Sequence, residues 1–382
     1  MYFHAFRFAG RKRRIVKALA AAGDTIRFVW IGGISFSGFP ETGKRAAEAL
    51  ATARSQRRSA WLNRLRLGLF GLQYNYWRRY FGGNPVAVAV AWNGLVSSRR
   101  IFMLAARDAG ARTLFLERGP LPDTLTADPV GVNFQNGLPR LPAPYLAWLA
   151  AHPEADGAWR PVAERLRQRP ATARHDPGER PPPPLEAPFV FLPLQKQGDT
   201  QLRFFGKACT GVRETVAFVA AAAQALPAGW HLRLKQHPSD KSRFADLLAP
   251  FEGLPIYLDN VTDTFAQVRA SRLVLTVNSS VGLEAMLLGA RVGVMGEAFW
   301  AIPGCVAPAG TSAELAQLLG NPDAAAFDDA ARNALLSFLV AEYYPRLIQG
   351  RDGEVVFPAA DLDRLRRRIS SGRVLSMDGQ TA

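Results

Sequence analysis

Leu273–Trp300, LVLTVNSSVGLEAMLLGARVGVMGEAFW, is the stretch from which the fold is read. Val274, Leu275, Thr276 and Val277 form an apolar, β-branched run of the kind buried in parallel sheets. Asn278, Ser279 and Ser280 follow at once, and all three are good helix N-cap residues. Gly282 permits close approach of a ligand or a neighbouring backbone. Leu283 to Leu288 reads as a short helix closed by Gly289, and Arg291 to Gly296 as the next strand. A small-residue turn between a strand and a helix N-terminus aims free N–H groups at one point, so it can bind an anion. It can equally be an ordinary βαβ connection whose serines only cap a helix.

The same alternation runs through the chain. Strands are expected at Ile26–Gly33, Val86–Trp92 and Thr113–Leu116, with a helix over Ser97–Ala109. A second set is expected at Phe189–Leu194, His231–Lys235, Ile256–Leu258, Leu273–Val277 and Val292–Met295, with helices filling 212–226, 241–250, 262–270 and 280–288. Alternating β and α favours parallel sheets. Residues 1–23 read as a basic amphipathic helix, and 42–80 as helix with interleaved arginines (Arg54, Arg57, Arg58, Arg64, Arg66) and aromatics. Such a helix can lie on a membrane surface, although packing with its aromatics inward is the commoner outcome. The stretch after Pro120 has little periodicity and reads as a long loop. Residues 153–187, with a PPPP run and one short helix near Val162–Gln168, read as a linker. The expected division is therefore an α/β domain over 1–152, the linker, a Rossmann-like nucleotide-sugar domain over 188–345, and a basic helix and tail over 346–382.

The 382 residues are 48% hydrophobic and 21% charged, enough for two real cores. Only Cys209 and Cys305 are present, which argues against a disulfide framework and suits the cytoplasm. No secretory signal stands out, and no apolar run reaches spanning length. The net charge of +15 points to an anionic partner (nucleic acid, an acidic membrane surface, or a charged sugar nucleotide), or is simply a solvated basic surface in an Ala/Arg/Pro-rich chain. No helix-turn-helix, zinc-finger or RNA-binding signature supports nucleic acid. Neither cysteines nor histidines have metal-ligand spacing, so neither metal nor cofactor is expected. Phosphate-loop, dinucleotide-fingerprint and nucleophile-elbow motifs are missing from the sequence.

The polar residues at strand ends carry the chemistry. Gln195 and Asp199 follow the strand at Phe189, and Lys235-Gln236-His237-Pro238 closes the strand at His231. A lysine and a histidine leaving one strand end can both face a phosphate. Glu284 lies on the helix after the Asn278–Ser280 turn, where a carboxylate can accept from ribose hydroxyls. In the first half, Asn93 ends one strand, Glu117 and Gly119 end another, and Asn133 lies in the loop beyond. Two carboxylates, Glu117 and Asp199, one per half, are what glycosyl transfer needs if they meet at one sugar.

Four ordered stretches, LERGPLPDTLTADPVGVN, LPLQKQGDTQ, LKQHPSD and TVNSSVGLEAMLLGARVGVMGEAFW, resemble the bacterial capsule polysaccharide biosynthesis/export family, which includes β-Kdo transferases. The resemblance covers about residues 86–305. It implies a GT-B-like α/β fold, two Rossmann-type halves around a central cleft, with extra helices at both ends. It also implies retaining, metal-independent transfer of Kdo from CMP-β-Kdo to a lipid or glycan acceptor. On this resemblance Glu117, in the E-x-G motif with Gly119, is the general acid/base and Asp199 the nucleophile. Lys235, His237, Pro238 and Asn278–Ser280 would hold the phosphate, and Glu284 the ribose. The chain would work on the cytoplasmic face of the inner membrane, with an anionic membrane surface as candidate partner. Transfer from another CMP-sugar, and a non-catalytic role in capsule biosynthesis or export, are the alternatives.

Overall fold

The computed structural model describes residues 1–30, 33–53, 59–166, 180–240, 244–350 and 352–375. Arg54, Arg57, Arg58 and most of the expected linker's second half thus lie outside the described residues, as does the end of the tail. The chain folds as two compact units, Met1–Leu138 with Glu342–Ala382, and Pro139–Ala341.

The first unit is built on strands β1 (Tyr2–Phe6), β2 (Thr25–Val29), β3 (Ala87–Trp92), β4 (Arg112–Arg118) and β5 (Leu125–Asp128). Their order is β2-β1-β3-β4-β5, parallel except for β5, which pairs antiparallel with β4. Two expectations are corrected here. Residues 1–23 are not one helix: Tyr2–Phe6 is an interior strand, with Phe3, Ala5 and Phe6 buried, and the helix is Gly10–Ala18. Partners on both sides of β1 outweigh the local helical pattern. The unperiodic stretch after Pro120 contains β5, whose four residues are all buried and give no alternation to read.

Helix Ser97–Asp108 packs on β3 and β4 of this sheet, and helices Thr42–Ala51 and Ala60–Gly82 pack against it and against each other. Phe6, Trp77, Phe81 and Phe102 meet there at ring separations of 5.0–5.6 Å, mostly edge to face. The last helix, Ala359–Ser371, returns to this unit. Its buried Arg368 donates to the carbonyls of Ala127, Tyr343 and Glu342 at 2.8–3.1 Å. Asp128, fully buried, accepts from the N–H groups of Val130, Gly131 and Gly137 and from the Tyr343 hydroxyl.

The second unit contains β6 (Phe189–Pro193), β7 (His231–Lys235), β8 (Ile256–Leu258), β9 (Leu273–Thr276), β10 (Val292–Val294) and β11 (Ala307–Pro308). All pair in parallel, in the order β8-β7-β6-β9-β10-β11. This is the doubly wound dinucleotide-fold order, with the reversal between β6 and β9. Alternate residues divide between faces. Val190, Leu192, Leu232, Leu234, Leu273 and Leu275 join one core with helices Val212–Ala222 and Ser312–Gly320. The other face of β7 carries His231, Arg233 and Lys235, all buried. Helix Ala143–Ala151 belongs to this unit, with Tyr145 and Trp148 edge-on to Phe338 at 5.4 and 5.0 Å. Cys209 and Cys305 are free and buried, and burial pushes their thiols up to about 11 and about 12.

Candidate active site

Parallel strands leave their carboxyl ends on one edge, and a crevice opens there where neighbouring connections run in opposite directions. In the second unit that place lies between β6 and β9. A cavity of about 460 Å³ is found there, lined by Gln195 and Asp199 after β6 and by Lys235, His237, Pro238 and Ser239 at β7. Ser279, Ser280 and Glu284, after β9, complete the wall with Gln201, Gln236, Thr264 and Phe265.

Asp199 caps helix Thr200–Phe205, its Oδ1 accepting from the Gln201 N–H at 2.8 Å. Its Oδ2 accepts from Gln195 Nε2 at 3.3 Å. The same Gln195 amide donates to Asn278 Oδ1 at 2.9 Å, and Asn278 Nδ2 donates to the Gln201 carbonyl at 3.1 Å. The carboxylate after β6 and the turn after β9 are therefore one hydrogen-bonded unit. Asn278 is buried and does not line the cavity; it braces the two strand ends.

Ser279 caps helix Ser280–Leu287 through Val281 N–H at 3.2 Å, as its position predicts. Glu284, one turn further, is buried at the cavity wall. Gly282 has a packing reason: a Cβ there would collide with the Trp300 ring. The helix in the middle of the decisive stretch thus meets its last residue.

His237 accepts the Ser239 N–H on Nδ1 at 3.1 Å. That assignment puts the proton of the neutral ring on Nε2, making it a donor. Lys235 is buried, and its ammonium donates to the carbonyls of Thr262 (2.6 Å), Asn260 (3.0 Å) and Asp259 (3.5 Å). Burial lowers its pKa, while Asp259 and Asp263 act in the opposite direction. The 259–262 turn is pinned a second time by Asp259, which pairs with buried Arg233 at 2.8 Å and accepts from Val261 and Thr262 N–H.

The first unit carries the remaining expected residues. Glu117 Oε1 accepts from Trp92 Nε1 at 2.9 Å and from the Arg118 N–H at 3.0 Å, and Oε2 from Asn93 Nδ2 at 3.0 Å. Asn93 and Gly94 are consecutive left-handed residues, φ 66° and 71°, so the chain turns sharply off β3 and swings the amide onto Glu117. Asn133 is also left-handed, φ 55°, in the loop that Asp128 anchors. Gly119 is needed by the β4–β5 turn, where a Cβ would strike Thr124.

Sequence reading missed Gln201, Gln236, Ser239, Thr264 and Phe265. Gln236 and Ser239 flank the K-x-H-P residues and share their strand end. Thr264 and Phe265 gave no signal, because β8 is only three residues long and its place beside β7 is a tertiary fact.

Residues 160–343 match the family described as "Capsule polysaccharide biosynthesis protein". Protein FixF of Sinorhizobium fredii (strain NBRC 101917 / NGR234) is 29% identical over 215 residues, 56% of this chain and 50% of that protein. The chain thus matches about half the length of that relative. Two solved structures from Thermosulfurimonas dismutans KpsC are similar. The β-Kdo 2,4-transferase is 17% identical, covering 95% of this chain and 97% of that one, TM-score 0.48. The β-Kdo 2,7-transferase is 15% identical, covering 81% and 97%, TM-score 0.47. The Glu117 motif lies before the matched family segment, and the stretches holding Asp199, His237 and the serine turn lie within it. Residues 160–343, a little under half of the chain, are thus similar to the capsule polysaccharide biosynthesis family.

Proposed function

We propose that this chain is a metal-independent retaining glycosyltransferase, moving Kdo from CMP-β-Kdo to a lipid or glycan acceptor in capsule or surface polysaccharide biosynthesis. The observation that carries this reading is the gathering of Asp199, His237, Ser279, Ser280 and Glu284 around one cavity at the strand-order reversal of a dinucleotide-type sheet. The family match of 160–343 supports it.

On this reading the CMP phosphate sits at the N-terminus of helix Ser280–Leu287, facing its backbone N–H groups and the His237 Nε2–H. Glu284 accepts from the ribose hydroxyls. Lys235 contributes its charge at the cavity wall and fixes the 259–262 turn; its direct bonds go to carbonyls. Asp199 attacks the anomeric carbon of Kdo as the bond to the phosphate oxygen breaks and CMP departs. Glu117 then takes the proton of the acceptor hydroxyl as that oxygen displaces Asp199. Two displacements at one carbon retain its configuration. The Gln195–Asn278 bridge links donor binding to the position of the nucleophile.

Two measurements test this. Calorimetry should show CMP binding, and incubation with CMP-Kdo and either a Kdo-terminated glycan or lysophosphatidylglycerol should release CMP. Folded protein that binds CMP but releases none with any such acceptor would sink the transferase reading. Turnover with CMP-sialic acid in place of CMP-Kdo would keep the enzyme class and overturn the sugar.

A further inference from the structure

Helix Ala60–Gly82 is only half covered. Its second half is packed, with Tyr74, Trp77 and Phe81 buried. Along one side, Trp61, Leu65, Leu69, Leu72 and Tyr76 recur at intervals of three and four and so form a single stripe. The loop at 33–37 lies on the far end of that stripe. Ser35 N–H donates to the Leu72 carbonyl at 3.0 Å, and Gly33 sits against the Tyr76 ring. The near end is bare: Trp61 and Leu65 are each 61% exposed. Phe36, on the covering loop, is 83% exposed, and Ile34 and Leu69 are nearly half exposed.

Large apolar side chains bared together on adjoining elements mark a surface that is covered in use. The charge around them selects the occupant. Helix Ala60–Gly82 carries Arg64, Arg66, Arg78 and Arg79 and no Asp, Glu or Lys. Arg64 is exposed and stands between Trp61 and Leu65 in sequence. A second copy docked by the same patch would set these arginines against their own mates without a carboxylate in the stretch to meet them. A bilayer containing anionic phospholipid satisfies both features. Aromatic and aliphatic tips enter the headgroup–acyl boundary, and guanidinium groups meet lipid phosphates. No helix among the described residues is long and apolar enough to cross a membrane. We propose that the first turns of helix Ala60–Gly82, with the Ile34–Phe36 loop, form a docking face for an anionic lipid bilayer. This holds independently of the donor pocket.

The test is flotation of the full chain with vesicles of phosphatidylcholine alone and with about one third phosphatidylglycerol. The wild type should float with the anionic vesicles only, and less at high salt. The triple variant Phe36→Ser/Trp61→Ser/Leu65→Ser should lose anionic-vesicle partitioning by about a hundredfold, with an unchanged circular dichroism spectrum. Should that variant misfold, the single charge reversal Arg64→Glu decides, with about a tenfold loss expected. Undiminished binding in a folded variant overturns the proposal, as does equal flotation with neutral vesicles. Dimerisation of the wild type that the triple variant abolishes, without vesicle binding, overturns it in favour of a second copy.

Discussion

The two sheets place a carboxylate at a comparable point and surround it differently. In the second unit Asp199 follows the central strand β6 and belongs to a cavity wall shared by the ends of β6, β7 and β9. In the first unit Glu117 stands near the end of β4 and is gripped by Trp92, Asn93 and the Arg118 N–H, all beside it in the sheet or chain. A cavity with polar groups from several strand ends is built to hold a ligand with many contacts. A single carboxylate fixed by three donors is built to present one group in one orientation. On the proposed reading, donor binding falls to the second unit and proton handling to the first.

The largest effect expected is that of Asp199→Asn. Asparagine keeps the helix cap but cannot act as the nucleophile, so kcat should fall by about a thousandfold or more while CMP affinity stays within about twofold. Unchanged turnover would remove Asp199 from the chemistry and dissolve the contrast. Next, Glu117→Gln should lower kcat by about a hundredfold or more with CMP binding unaltered. A loss of CMP affinity instead would mean that the first unit also holds the donor.

The third prediction concerns pH. His231, on β7 with its ring 5.4 Å from Phe189 and from Tyr257, is lowered to about 4, first by burial and then by neighbouring Arg233. The unfolded chain takes up this proton below its ordinary value near 6.5, and the folded one resists until about 4. The stability associated with His231 is therefore complete above that ordinary value and declines as pH falls towards the folded one. The fall is about 3 kcal/mol at most. Thermal melts of His231→Phe should be flatter over that window than those of the wild type; parallel curves would show that the ring does not titrate. His4, on β1 of the other unit, is also lowered by burial and by Arg27, so the variant isolates the second unit's share.

The smallest effect is expected at Lys235. Lys235→Met orphans the Asn260 carbonyl, leaves the Thr262 carbonyl with Gln267 Nε2 as donor, and should cost about 1–3 kcal/mol of stability. CMP affinity should drop less than tenfold, since the ammonium is bonded to backbone. A hundredfold loss of CMP affinity with full stability would make Lys235 a direct phosphate ligand instead.

Much of the second unit was legible because its strands are short apolar runs ended by polar residues. His231–Lys235 and Ile256–Leu258 were read to the residue, and Ser279 caps its helix as expected. Less of the first unit could be read. Tyr2–Phe6 and Leu125–Asp128 are too short and too buried to show a period; the first is held by β3, far along the sequence, and the second folds back on the β4 that precedes it. The helix at 42–80 resolved into two, and its aromatics divided: Tyr74 and Trp77 packed inward, Trp61 outward. Periodicity marks an apolar stripe without saying how far along the helix it is covered.

By itself, the sequence determined the alternation of strands and helices, the polar strand ends and the serine cap. These depend on side-chain period and on contacts within a few residues. Tertiary structure alone decided which strand ends became neighbours. The β8-β7-β6-β9-β10-β11 order brings Gln195 to Asn278 across 83 positions, and so joins Asp199 to the serine turn. It also turned Lys235 onto three carbonyls, and gave Gly282 to Trp300. A strand's place in a sheet is settled by burial summed over all its neighbours, and no local pattern of residues contains that sum.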